Sequence, residues 1–333
     1  MAQAEPAFKV PVPSSLEKPS QSGVLSESAQ TNFKNLKSDP DPDKLVMNSH
    51  YWISNENAHY VWYNHVKDIG GVISGVGTDQ VYLIAGWMDA SLVIPMDFDR
   101  AISNLHFAYG AAFMASDNIE TFLSYWKKDS EEKMREALNL YFPEYAVVAM
   151  KSWKNGQKEV NARFNKLKRK YGTSKHDKKS AVAGIPTFVT DEEQYQRIRQ
   201  LWVNHRVYPI CGDLTGAVSM RSMADALEKS GLKMNVFYTS NAERYFTYTP
   251  DFIQNFLKMP FEEKGIILRT RQLTSLGLAE PKDYHYSIQD AHNFQRWLKT
   301  GKITDVSQML KKRAKTDTTG LSVILEEPEE SNP

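Results

Sequence analysis

The chain has 333 residues, 41% hydrophobic and 11% aromatic, which suits one large α/β domain with tails or two small domains. Lysine plus arginine (41) balance aspartate plus glutamate (40), so no global field steers the protein to nucleic acid or anionic lipid. A single cysteine, Cys211, excludes an internal disulfide framework and a multi-cysteine zinc site. No run reaches the roughly 18 apolar residues of a membrane span.

Residues 1–45 carry Pro6, Pro11, Pro13, Pro19, Pro40 and Pro42 among serines, lysines and acids, a composition that predicts a disordered arm. The first 13 residues have no basic n-region and no apolar h-region, so no signal peptide is read. A chain that begins after a cleaved signal looks the same, and both cytoplasm and cell envelope (a mature lipoprotein) remain compatible. The acids in the run 38–43 are separated by prolines without calcium-loop spacing and read as a solvated linker. Order is expected from Leu45, with Ser54 starting a helix that carries the aromatics of 59–69 on one face. His59 and His65 are six apart, off a common helical face, and read as packing or surface histidines.

The stretch 71–100 organises the rest. It reads as a strand over 71–74, a glycine turn Gly75-Val76-Gly77-Thr78-Asp79-Gln80, a helix over 81–88, and a second strand over 92–96 ending in Asp97-Phe98-Asp99. This order opens a nucleotide-binding α/β sheet. Glycines let a ligand approach the backbone, free N–H groups at the helix start attract an anion, and a carboxylate accepts from ribose hydroxyls. Gly77 and Asp97 stand 20 residues apart, the spacing of about 20 expected between such a turn and the ribose acid.

Residues 100–114 continue as an apolar helix, with His106 a satisfied, semi-buried histidine, and 117–150 as further helix with a core stripe of Phe122, Tyr125 and Trp126. The basic stretch 151–179 interleaves lysines with Trp153, Phe164 and Tyr171 and reads as the solvated face of a helical insertion rather than a nucleic-acid surface. The α/β rhythm resumes with strands over 207–211, 234–238, 265–269 and 284–288, and helices over 217–229 and 290–299. A short helix capped by Ser240 or Asn241 is expected to run through Tyr245. A flexible tail covers 312–333. The domain itself is 46–311, with 117–180 as its helical, basic insertion.

Ligands of open α/β sheets sit at the carboxyl ends of the strands. Those ends are predicted to gather Gly75–Gln80, Asp97–Asp99, Gly212–Thr215 and Tyr238–Asn241 on one edge. Motifs for a serine-nucleophile elbow, a zinc-protease helix and a phosphate-binding P-loop are absent from the sequence. Asp97-Phe98-Asp99 also matches the D-x-D of metal-dependent nucleotide-sugar transferases, a pattern frequent by chance. Cys211 reads as a core residue.

The segments GGVISGVGTDQVYLIA, LVIPMDFDRAISNLHFAYGAAF and PICGDLTGAVSMRSMADALEKSGLKMNVFYTSNAERYF resemble an uncharacterised bacterial methyltransferase-like family, over roughly residues 51–271. The resemblance implies a Rossmann-like class I S-adenosylmethionine-dependent methyltransferase fold, a mostly parallel, doubly wound sheet flanked by helices. It implies that Gly75 and Gly77 are cofactor-loop glycines and that Asp97 or Asp99 is the ribose acid. Asp79 and Gln80 complete the expected cofactor set, and Asp213, Tyr238 and Glu243 are candidate acceptor-side groups. The loop lacks a third glycine, and no D/N-P-P-Y motif is present. Two readings follow: a methyltransferase using S-adenosylmethionine on an unidentified acceptor, or a non-catalytic binding protein of the bacterial envelope that keeps the fold. They differ in whether space is open over the loop 75–80 or filled by side chains such as Gln80.

Overall fold

The computed structural model describes residues 25–173, 182–272 and 284–329. The expected features at 1–24, 174–180 and 330–333 lie outside them. Eight strands form one sheet: β1 (Val72–Val76), β2 (Leu92–Asp97), β3 (Ile210–Cys211), β4 (Met234–Ser240), β5 (Phe261–Arg271), β6 (His285–Asp290), β7 (Arg313–Lys315) and β8 (Leu321–Ile324). Their order across the sheet is β3-β2-β1-β4-β5-β6-β8-β7. The five strands from β3 to β5 run parallel. β6 is antiparallel to β5, β8 is parallel to β6, and β7 is antiparallel to β8. The sheet is therefore mixed and mostly parallel, with helices on both faces.

Strands β1 and β2 read as near-continuous apolar runs because both faces are covered, as parallel strands require. Ile73, Val93 and Tyr238 enter one core cluster and Val72, Leu92 and Phe237 the other, following the alternation of a strand. The first face packs α2 (Tyr63–Val66), α3 (Asp79–Met88), α4 (Arg100–Met114), α5 (Ile119–Ser124), α6 (Glu131–Tyr141), α7 (Ala146–Tyr171) and α8 (Glu192–Val203). The second packs α1 (Glu27–Lys34), α9 (Ser219–Lys229), α10 (Pro250–Lys258), α11 (Ala291–Lys299) and α12 (Val306–Lys311).

Several boundaries differ from the sequence reading. The arm expected to be disordered to residue 45 is folded from residue 25. Ser26 caps α1, and Phe33 is buried with its ring 5.4 Å from that of Tyr208. The tail expected to be flexible from 312 supplies β7 and β8, and Leu321, Val323 and Ile324 are buried. The helix expected from Ser54 is replaced by extended chain, one 3₁₀ turn (His59–Trp62) and the single turn of α2. The side chain of Glu56 is drawn into the sheet edge there, and a helical register would carry it away. Residues 240–245 make only a 3₁₀ turn (Ala242–Arg244), since Ser240 itself adopts a left-handed φ of 54°. The expected strand 207–211 shortens to Ile210–Cys211, with Val207 joined to Val93 by an isolated bridge. Among the described residues, no helix is long and apolar enough to cross a membrane.

Candidate functional site

The carboxyl ends of β3, β2, β1 and β4 lie side by side, so the four predicted clusters do meet on one edge. β1 continues through α3 to β2 on one side, while β4 flanks it on the other. A crevice between β1 and β4 is where an open α/β sheet takes its ligand.

In this chain the crevice is filled from within. Gly77 has φ 106°, a conformation open to glycine, yet a Cβ built on it would lie 1.9 Å from Gln80 Nε2. The Gln80 carboxamide folds back over the turn, donating to Val76 O at 3.2 Å and accepting from Thr78 N at 3.1 Å. Gly75 is hemmed by Tyr238 Cβ at 3.1 Å and Val81 Cγ2 at 3.2 Å from its built Cβ. The turn is also held from α4. His106 Nε2–H donates to Gly77 O at 2.9 Å, and His106 Nδ1 accepts from Tyr82 O–H at 2.8 Å. The carbonyl can only accept, which fixes that tautomer. Burial pushes His106 down to about 4, against the Gly77 carbonyl, so it is neutral near pH 7.

Asp79 occupies the first position of α3, where the helix dipole favours an acid. Its carboxylate is completely buried and pairs with Arg163 Nε of α7 at 2.8 Å, while Ser54 N donates to the other oxygen at 3.3 Å. Burial pulls the Arg163 guanidinium down, but Asp79 outweighs it and holds the pKa above the usual value. Asp97 ends β2 and accepts from Asp99 N at 2.9 Å. Burial pushes its carboxyl up to about 7, with the Asp99 charge adding to the rise and the Asp99 amide opposing it. Asp99 caps α4 through Ala101 N at 2.9 Å and meets His50 Nδ1 at 2.6 Å. Both acids therefore have local partners. Among the described residues, no three His, Cys, Asp or Glu side chains gather as a metal site.

The centre of the edge is Glu56, which the sequence reading passed over. Its side chain is fully buried. Oε1 accepts from Ser240 Oγ at 2.7 Å and from Thr270 Oγ1. Oε2 accepts from Tyr238 O–H and from His59 Nε2–H at 2.9 Å. Burial alone would raise the Glu56 pKa, but His59 first, then Thr270 and Tyr238, hold it below the usual carboxylate value. Trp62 and Tyr286 pack around His59 with ring centroids at 5.9 Å, and Ala58 N donates to Tyr286 Oη at 2.6 Å. The segment from Ser54 to Trp62 thus straps the switch-point crevice.

The remaining predicted groups sit around this plug. Tyr238 is bound to Glu56, and burial pushes its phenol well up, reinforced by that carboxylate. Glu243 lies on the opposite sheet face, accepting from Arg269 Nε at 2.9 Å, Thr239 Oγ1 at 2.8 Å and Tyr248 O–H. Asp213, at the end of β3, folds onto Thr215 N at 2.7 Å. Its own amide donates to Asp39 Oδ2 at 3.0 Å. Asp39, expected to lie in a solvated linker, is instead buried and takes Val218 N, Ser219 N and the Ser219 hydroxyl as well, so an acid from the arm fills the nest ahead of α9. Cys211 is buried, as expected, and burial pushes its thiol up to about 11. Two clefts lie elsewhere. One of about 840 Å³ is bordered by Asn118, Asn161, Asn165 and Lys168, and one of about 400 Å³ by Asp290, His292 and Arg296.

The class defined by these observations is a three-layer α/β protein with a mixed sheet and a self-filled carboxyl edge. The chain belongs to the family described as a domain of unknown function, DUF7790, whose match spans residues 51–325. That span takes in the strap and strands β1 to β8 but not Asp39. No curated protein matches the chain.

Proposed function

We propose that the protein is a non-catalytic binding protein on a Rossmann-like, methyltransferase-type scaffold, in which its own side chains take the space of the cofactor. The observation that carries this reading is the occupied crevice: Gln80 over Gly77, and Glu56 bound to Tyr238, Ser240 and Thr270. The scaffold reading is supported by the order β3-β2-β1-β4-β5, the run of a doubly wound sheet, with the antiparallel β6 next to it. As arranged, the turn does not fit S-adenosylmethionine, because the space a ligand needs over Gly77 holds the Gln80 carboxamide. A place in the bacterial envelope, one of the two compartments compatible with the sequence, goes with this reading and is tested by cell fractionation.

A second reading, an S-adenosylmethionine-dependent methyltransferase, is favoured by one feature: Asp97 ends the strand beside the Gly75–Gly77 turn, where a ribose acid belongs. It requires Gln80 and the strap to swing out. Calorimetric titration of the full chain with S-adenosylmethionine and S-adenosylhomocysteine separates the two. The binding-protein reading expects no heat of binding at millimolar ligand. Micromolar affinity that is lost in Asp97→Ala overturns it and establishes the second.

A further inference from the structure

The face of β5 opposite Glu56 carries two arginines in alternate positions, Arg269 and Arg271. They differ in how they are satisfied. Arg269 is buried over the Phe294 ring at 4.8 Å and has Glu243 at 2.9 Å and Gln289 at 2.5 Å as partners, with only its Nη2 unpaired. Arg271, one step nearer the carboxyl edge, has Nε and Nη1 shielded from solvent without a hydrogen-bond partner. Its remaining nitrogen makes one long contact, 3.4 Å, with Ser307 Oγ at the start of α12.

A second guanidinium lies beside it. Arg244 is exposed on the 3₁₀ turn after β4, holds Gln272 Oε1 at 2.9 Å and stands 5.9 Å from the Tyr245 ring centre. Neither Arg244 nor Arg271 has a carboxylate within ion-pair distance among the described residues. The two described carboxylates that act on Arg271 are already engaged. Glu243 is taken by Thr239, Tyr248 and Arg269, and the Asp305 carboxylate caps α12 through Ser307 N at 2.7 Å and Gln308 N at 3.0 Å. Burial first, and Arg244 next, pull the Arg271 pKa below its usual value, with Asp305 and Glu243 opposing the drop in part.

Leaving guanidinium N–H groups shielded and unpaired beside another cation is costly. A planar fork with free donors and a neighbouring positive charge is the arrangement that takes a phosphate or other tetrahedral oxyanion bidentately. We propose that Arg271 and Arg244 form an oxyanion-binding site at the carboxyl end of β5, taking a small ligand of the phosphate class. The site lies outside the Glu56-filled crevice, on the other face of the sheet. It therefore stands whether or not the crevice admits S-adenosylmethionine.

The experiment is thermal unfolding and calorimetric titration of the full chain with inorganic phosphate, at ionic strength held constant with sodium chloride. The variants are Arg271→Gln, Arg244→Gln and, as control, Arg197→Gln, whose guanidinium is paired with Glu193 and Asp89. The expected result is a saturable rise in Tm with phosphate for the wild type and Arg197→Gln. Affinity falls by about tenfold or more in Arg271→Gln and Arg244→Gln, the cost of one lost charge-assisted contact. Without phosphate, Arg271→Gln should melt no lower than wild type, because a shielded, unpaired charge is removed. Equal phosphate response in all four proteins, or no response in the wild type, overturns the proposal. A markedly lower Tm for phosphate-free Arg271→Gln overturns it too, as that assigns Arg271 a structural role.

Discussion

Replacing Glu56 by alanine tests whether the crevice is sealed. The side chain is fully buried and accepts four hydrogen bonds, from Ser240, Thr270, Tyr238 and His59. Alanine leaves three hydroxyls and a histidine N–H without an acceptor in a site walled by Trp62 and Tyr286. Each buried donor left unpaired costs about 1–3 kcal/mol, so the four together take a large share of the roughly 5–15 kcal/mol that holds a domain together. Glutamine keeps one carbonyl acceptor for Ser240 and Thr270 and should cost less, about 1–3 kcal/mol. The assay is urea unfolding followed by tryptophan fluorescence and circular dichroism at pH 7.5, with Glu56→Gln serving if Glu56→Ala does not fold. The pH dependence has a fixed sign. The carboxyl is held below its usual value in the folded state, so its stabilisation is complete above the unfolded pKa near 4.5 and is lost as pH falls through the lower, folded value. The gap between wild type and Glu56→Gln should therefore narrow in acid. Glu56→Ala unfolding within about 0.5 kcal/mol of wild type at pH 7.5, the range of an ordinary surface substitution, would refute the reasoning and mean that water reaches the crevice.

Asp97→Asn should stabilise the protein at pH 8. A carboxyl raised from 3.8 to about 7 favours the folded state below pH 4 and costs it as pH rises towards 7, on the order of 4 kcal/mol at most. His106, lowered from 6.5 to about 4, acts in the opposite sense: its native neutrality is free of cost above pH 6.5 and costs stability as pH falls towards 4. Urea midpoints of Asp97→Asn should thus climb with pH between about 4 and 6.5, where the wild type stays nearly flat; parallel profiles for the two would sink the Asp97 assignment, and a flat Asp97→Asn profile the His106 one. Asp39→Ala should speed hydrogen exchange at the amides of Asp213, Val218 and Ser219, each of which donates to Asp39. Unchanged protection at all three would show that the arm does not hold that loop.

The elements that were legible in the sequence are those written locally. The turn Gly75–Gln80, the apolar strands β1 and β2 and the terminal acid Asp97 stand within about two dozen residues of one another, and each follows from spacing and backbone preference. What closes the site comes from far along the chain. Glu56 meets partners 182, 184 and 214 residues away, and Asp79 meets Arg163 at a separation of 84. An acid in SNENAH reads as solvated until the fold brings Tyr238 and Thr270 over it. For Arg163 a signal did exist. It stands on the same helical stripe as the buried Val160, Phe164, Leu167 and Tyr171, where a lone cation demands a buried acid. Reading 151–179 as one solvated basic face concealed that stripe. Asp39 was hidden in the same way, inside a Pro-Asp run with linker composition.

The position of these late partners explains why the edge is closed. A helix start beside a glycine turn attracts negative charge, and in this chain the charge is Asp79, neutralised from outside the sheet by Arg163. The nest ahead of α9 has the same appetite and is met by Asp39 from the arm. Between β1 and β4 the hydroxyls that could hold a polar ligand hold Glu56. Three carboxylates of the chain itself thus occupy three places where a sheet of this design takes an anion or a polar ligand. Two of them come from N-terminal segments laid over the edge, and the third is locked by α7. At the β5 end the pattern breaks, because among the described residues Arg271 and Arg244 have no carboxylate within ion-pair distance. If the chain still receives a ligand at this edge, the charge left over places it there, and not in the crevice that the sequence pattern first suggests.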